Sequence, residues 1–201
     1  MSIELPRLKS YSRMKQIMTM YYGCAKMAEG TNQKQAWITS GAPVEFLYAA
    51  DITPLYPENH AAMCGATKMA DMLCNTAEEA GFSRDLCSYA RTDIGAILSG
   101  TSPIGGMPKP DLLVCCNNIC GTVTKWYQEL QRRFDVPLVF IDAPYQYEPE
   151  DASHAVAYMK EQLKDYTEVI AQVTGRPFDH DRFNEIVGLS EKAADLWRDI
   201  Q

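Results

Sequence analysis

The sequence predicts an α/β fold: an open, mostly parallel sheet of doubly wound type, with a helix before it and a helical extension after it. Three observations lead there. Residues 112–116 (Leu-Leu-Val-Cys-Cys) and 136–141 (Val-Pro-Leu-Val-Phe-Ile) are apolar, as strands buried on both faces of a parallel sheet are. Residues 121–134, between them, have the spacing of an amphipathic helix. Strand-like and helix-like stretches alternate along the chain, the pattern of a sheet layered between helices.

Element by element, residues 9–29 place Met14, Ile17, Met18, Tyr21, Tyr22 and Ala25 at helical spacing, and Gly30-Thr-Asn ends that helix. Residues 36–39 form a short strand running into Ser40-Gly-Ala-Pro43. Pro43 suits the first turn of a helix over 44–50, where its missing N–H costs nothing. Residues 52–56 are a second strand, stopped by Pro57. A helix rich in Ala and Met follows over 61–80, closed by Gly81. Residues 100–110 are a Gly- and Pro-rich surface connection. After Asp151 the texture changes to a long amphipathic helix over 154–173, with Gly175 and Pro177 as stop signals. A last helix starts near Asp179 and is still running at Gln201. Three units are therefore expected: a helical segment 1–30, an α/β domain 31–150, and a helical segment 151–201 leading to a second domain outside this chain.

Composition excludes several classes. Of 201 residues, 46% are apolar and 22% charged, an ordinary globular balance. A net charge of -7 argues against nucleic acid or an anionic membrane surface as partner, since both need a basic footprint. No apolar run approaches the roughly 18 residues that span a bilayer. Residues 1–30 lack the apolar core and cleavage site of a secretory signal, so the cytoplasm is the default location.

The seven cysteines, at 24, 64, 74, 87, 115, 116 and 120, are many for a reduced compartment. Their odd number argues against a disulfide framework. No Cys-x-x-Cys occurs, and His60, His154 and His180 are scattered, so a closed zinc finger or ribbon is not expected. Cys64 and Cys74 look like core. Cys115 and Cys116 are neighbours in one strand and must point to opposite faces. Cys120 sits at a loop-to-helix junction, where the helix dipole favours thiolate. Cys87 lies 33 residues upstream, with Arg91 placed to support an anionic sulfur. If these two are metal ligands, iron–sulfur suits soft thiolates better than zinc, and two ligands are too few.

In an open α/β sheet, ligands bind outside the carboxyl ends of the strands. Those ends deliver Ser40 and Gly41, then Glu58, Asn59 and His60, then Asn117, Asn118 and Cys120, and last Asp142. Ser40-Gly41 offers a hydroxyl and backbone N–H groups to an anion or a thioester carbonyl; the plainer reading is an N-cap. Glu58 and His60 offer an acid or base, or are simply a solvated loop.

These motifs also carry a resemblance. Trp37-Ile-Thr-Ser-Gly-Ala-Pro-Val-Glu45, Tyr56-Pro-Glu-Asn-His60, Cys87-Ser-Tyr-Ala-Arg91, Asp111-Leu-Leu-Val-Cys-Cys-Asn-Asn-Ile-Cys120 with Lys125-Trp126, and residues 136–144 stand in the order seen in one family. Over residues 35–145 the chain resembles the 2-hydroxyacyl-CoA dehydratase and benzoyl-CoA reductase subunits. The resemblance implies a Rossmann-like domain, the first of two, in a subunit about twice this length. It implies a [4Fe-4S] cluster held by three cysteines, of which Cys87 and Cys120 match two and the third lies downstream of this chain. The implied chemistry is single-electron reduction of a CoA thioester to a ketyl-type radical anion, with an ATP-hydrolysing iron–sulfur activator supplying the electron and a homologous subunit as partner. Ser40, as hydrogen-bond donor, and Glu58, as a proton-handling or orienting group, would line the acyl pocket. The isolated chain is then expected to be inactive. The wording around Cys115 to Tyr127 leans slightly toward the reductases. Two other readings stay open: a non-catalytic partner subunit, and a cluster protein of this fold that reduces other small molecules. An unrelated flavodoxin-like module explains the sheet but not the thiols at its rim.

Overall fold

The computed structural model describes residues 9–147 and 152–200. The expected boundary at residue 150 and the end of the last helix at Gln201 fall outside the described residues. Helix α1 (Lys9–Met27) leads into β1 (Gln35–Ile38), α2 (Glu45–Ala49) and β2 (Thr53–Leu55). Then come α3 (Pro57–Ala66), α4 (Ala70–Glu79) and α5 (Ser88–Ser99), followed by β3 (Leu112–Cys116), α6 (Gly121–Phe134) and β4 (Leu138–Ile141). Two long helices, α7 (Ser153–Thr174) and α8 (His180–Ile200), follow.

The four strands form one parallel sheet in the order β2-β1-β3-β4. Alternation along the strands divides the core in two, because successive side chains leave opposite faces. Ala36, Ile38, Leu112, Val114 and Cys116 pack on one face with Phe46, Tyr166 and Ile170, under α2, α7 and α8. Trp37, Leu113 and Cys115 pack on the other with Ala90, Ile94, Val123, Trp126, Tyr127 and Leu130, under α5 and α6. Cys115 and Cys116 do point to opposite faces, and both are buried. Helix α1 is tied on by two backbone acceptors: Tyr21 Oη donates to Pro54 O, and Gln35 Nε2 donates to Ala25 O at 2.9 Å.

Three elements differ from expectation. Pro57 does not stop a strand into a loop; it opens α3 at its first position, where a residue without an N–H loses nothing. The single helix expected over 61–80 is two, broken where Lys68 takes a left-handed φ of 61°. Cys64 and Cys74 thus sit on different helices, each buried. Helix α5 has no counterpart among the expected elements. Its Gly95 lies against α4 so closely that a Cβ there would fall 1.9 Å from Leu73 O.

Candidate functional site

A helix that follows a parallel strand returns antiparallel to it, so helix N-termini gather at the carboxyl edge of the sheet. Along that edge the strand-end loops are stitched pairwise. Thr39 and Ser40 follow β1, and Glu58 lies in the first turn of α3 just after β2. The Ser40 backbone N–H donates to Glu58 Oε2 at 2.7 Å, and its hydroxyl donates to the same oxygen at 2.8 Å. Ser40 therefore does not cap α2, which begins at Glu45 with Val44 as its N-cap. Glu58 and His60 are helical rather than loop residues, and the carboxylate sits at the favourable end of the helix dipole.

Next along the edge, the loop after β1 meets the loop after β3. Thr39 Oγ1 lies 3.3 Å from Cys116 Sγ, and the Cys116 N–H donates to Thr39 Oγ1 at 3.2 Å. A Cβ on Gly41 would stand 3.0 Å from Asn118 Oδ1 and 3.1 Å from Ile119, so glycine here permits the close approach of the two loops. Asn117 then reaches β4: its Nδ2 donates to Asp142 Oδ1, and its Oδ1 accepts from Ala143 N at 2.7 Å. Asp142 also accepts from Tyr158 Oη at 2.9 Å. Side chains at all four strand ends are thereby held in one continuous polar rim.

Cys87 and Cys120 are the N-caps of α5 and α6, and both are exposed. The remaining exposed thiol, Cys24, is on α1. Burial pushes the Cys115 thiol up to about 12, with Cys116, Glu58 and Cys120 adding to the shift, so Cys115 is a neutral core thiol beneath the rim. Arg91 does not serve Cys87. Its guanidinium pairs with Glu78 and donates from Nε to Leu86 O at 2.9 Å. Among the described residues no group of three or more His, Cys, Asp or Glu side chains could hold a metal ion. An apolar cavity of about 670 Å³ lies between α1 and Met63, Pro103 and Ile104, and shares no residue with the rim. No described helix is long and apolar enough to cross a membrane.

Sequence reasoning missed one buried polar cluster beneath the rim. His60 Nδ1 lies 3.4 Å from Asp93 Oδ1 and its Nε2 lies 2.8 Å from Ser102 Oγ, while Trp126 Nε1 donates to Asp93 Oδ2 at 2.9 Å. Asp93 is fully buried and His60 is 2% exposed. Burial pushes the Asp93 carboxyl above its ordinary range, against the bonds from His60 and Trp126 that lower it. The available signal was an acid inside the run Ala90-Arg-Thr-Asp-Ile-Gly-Ala-Ile-Leu98.

Comparison with known proteins gives the family. The alpha subunit of (R)-2-hydroxyisocaproyl-CoA dehydratase from Clostridioides difficile is 37% identical over 182 residues, covering 90% of this chain and 45% of that protein. The alpha subunit of (R)-phenyllactyl-CoA dehydratase from Clostridium sporogenes is 32% identical over 194 residues, 96% of this chain and 48% of that protein. A benzoyl-CoA reductase subunit from Thauera aromatica is 34% identical over 156 residues, 75% of this chain and 36% of that protein. The chain thus spans half or less of the length of these curated relatives. Residues 39–201 match the family described as 2-hydroxyglutaryl-CoA dehydratase, D-component, and the chain belongs to that family.

Proposed function

We propose that this chain forms the amino-terminal portion of a subunit of an iron–sulfur enzyme that reduces a CoA thioester by one electron, of the 2-hydroxyacyl-CoA dehydratase or benzoyl-CoA reductase type. The observation that carries the reading is the pair of exposed thiols, Cys87 and Cys120, at the starts of two helices, with Cys120 following β3 on the edge of the sheet that holds the Ser40–Glu58 pair. The donors fit a [4Fe-4S] cluster in kind: soft thiolates suit it, and the positive ends of two helix dipoles favour its anionic ligands. The two supply part of a ligand set, and a third cysteine comes from outside this chain. Once bound, the cluster supplies a low-potential electron to the acyl group.

The chain's own residues do the rest. The Ser40 hydroxyl, now donating to Glu58, turns to donate to the thioester oxygen as charge develops there. Glu58, already accepting two hydrogen bonds, orients that serine and accepts or returns a proton at Oε2. The relatives are themselves named as subunits, two of dehydratases and one of a reductase, which supports a homologous partner for this chain too. An ATP-hydrolysing iron–sulfur activator completes the proposed assembly, in the cytoplasm.

The deciding experiment is anaerobic iron and acid-labile sulfide analysis of the whole gene product, this chain with whatever follows Gln201, beside its Cys87→Ala and Cys120→Ala variants. Near-equal iron and sulfide, lost in both variants, is expected. Full iron in either variant removes that cysteine from the ligand set, and no iron in the parent moves the reading to a non-catalytic partner subunit. Oxidation of the reduced enzyme by benzoyl-CoA or by a 2-hydroxyacyl-CoA then tells the two reaction types apart. Unchanged turnover and affinity in Ser40→Ala would end the role given to that hydroxyl.

A further inference from the structure

We infer that Asp93 is a positioning residue, one buried carboxylate that fixes the relative placement of the three helices carrying Glu58, Cys87 and Cys120. The connections are direct. Asp93 is on α5, which Cys87 caps. Its Oδ2 accepts from Trp126 Nε1 on α6, which Cys120 caps. Its Oδ1 faces His60 Nδ1 on α3, two residues after Glu58. His60 is held from its other side by Ser102, in the loop that follows α5. At a rise of about 1.5 Å per residue, Asp93 and Trp126 lie roughly 9 Å below the two thiols. The tie is thus close enough to the rim to set it and deep enough to stay dry.

Stability alone does not account for a carboxylate at this point. Removing an acid from water is costly unless its hydrogen bonds are made, and an apolar filling of similar volume is often neutral or stabilising. A hydrogen-bonded acid differs from an apolar plug in having direction. Each helix is held at one atom, in one rotation, rather than against a surface on which it can slide. An ionised Asp93 only accepts, which places the proton of His60 on Nδ1 and leaves Nε2 to accept from Ser102. Its two partners, and through them three helices, are then fixed by a single group.

The importance of this placement rests on the reading of Cys87 and Cys120 as cluster ligands, but its test needs no iron. In the 201-residue chain with Cys24→Ser, Cys87 and Cys120 are the exposed thiols left among the described residues. Nitroxide labels on both report their separation by double electron–electron resonance. The expected result is a narrow distribution in this parent, broadened and shifted in Asp93→Asn and in Trp126→Phe. Ile170→Ala, which weakens the opposite face of the sheet, leaves it unchanged. A distribution unaltered in both tie variants overturns the inference, and so does equal broadening in Ile170→Ala. Should Asp93→Asn fail to fold, Trp126→Phe, which deletes one N–H and keeps an aromatic ring, decides the matter alone. Iron content, read separately, tests only the cluster, so the two readings fail independently.

Discussion

The two faces of the sheet are built on different terms. Under α2, α7 and α8 the packing is aromatic and aliphatic, with Phe46 4.9 Å from Tyr166 and 4.4 Å from Phe183 between ring centroids. Under α5 and α6 an apolar layer packs against the sheet, and beside it His60 of α3 and Thr92 and Asp93 of α5 are buried. Area burial is non-directional and works on both faces. The buried His60–Asp93 cluster joins the helix that carries Glu58 in its first turn to the helices capped by Cys87 and Cys120. One face supplies adhesion; the other supplies adhesion and aim.

The sharpest way to break this contrast is at its centre. Asp93→Ala leaves Trp126 Nε1 and His60 without their acceptor and should cost about 3–5 kcal/mol in urea unfolding. Replacing the cluster with apolar groups (Asp93→Leu, His60→Leu and Trp126→Phe together) should regain most of that loss, yet keep the broadened thiol separation. Next, Ile170→Ala on the dry face should cost about 2–5 kcal/mol, a cavity effect, with the iron of the assembled enzyme retained.

A smaller effect depends on pH. Burial raises the Asp93 pKa, so the folded chain holds that proton more tightly than the unfolded one. Its stabilising contribution is complete below the ordinary value of 3.8 and declines as pH rises through the folded value. The stability of the parent minus that of Asp93→Asn should therefore fall as pH climbs above that point and level off once Asp93 is ionised. Smallest of all, Arg176→Ala breaks an exposed pair with Asp51 and a bond to Ala50 O at the margin of the dry face, and should cost no more than about 1 kcal/mol.

Much of this was legible in the sequence, and the losses have physical causes. Strands β1 and β3 and helix α6 announce themselves because their burial pattern is their composition, whereas β4, apolar enough to read as buried on both faces, is an edge strand with Phe140 40% exposed, and α8 follows its spacing without burying a residue. The strand-end rule alone puts Ser40, Glu58, Asn117 and Asp142 on one edge. The rule does not reveal that Ser40 pairs with Glu58, because a pairing between β1 and β2 loops has no signature in either loop. Pro57 misled because proline ends one element and starts the next with equal ease. Helix α5 escaped because its buried side includes Thr92, Asp93 and Gly95, which weaken an apolar periodicity. The group that ties the helices was hidden for that same reason.

Gly95 has a kinetic corollary. With Leu73 O seated where a Cβ would be, α4 cannot slide along α5 or rotate against it without first moving away. The two helices are then a single opening unit, a foldon in the language of native-state exchange. Backbone amides from Leu73 to Ala77 and from Thr92 to Ala96 should trade hydrogen for deuterium with one shared opening free energy. Gly95→Ala would force the pair apart at its narrowest point, and both helices should lose protection together.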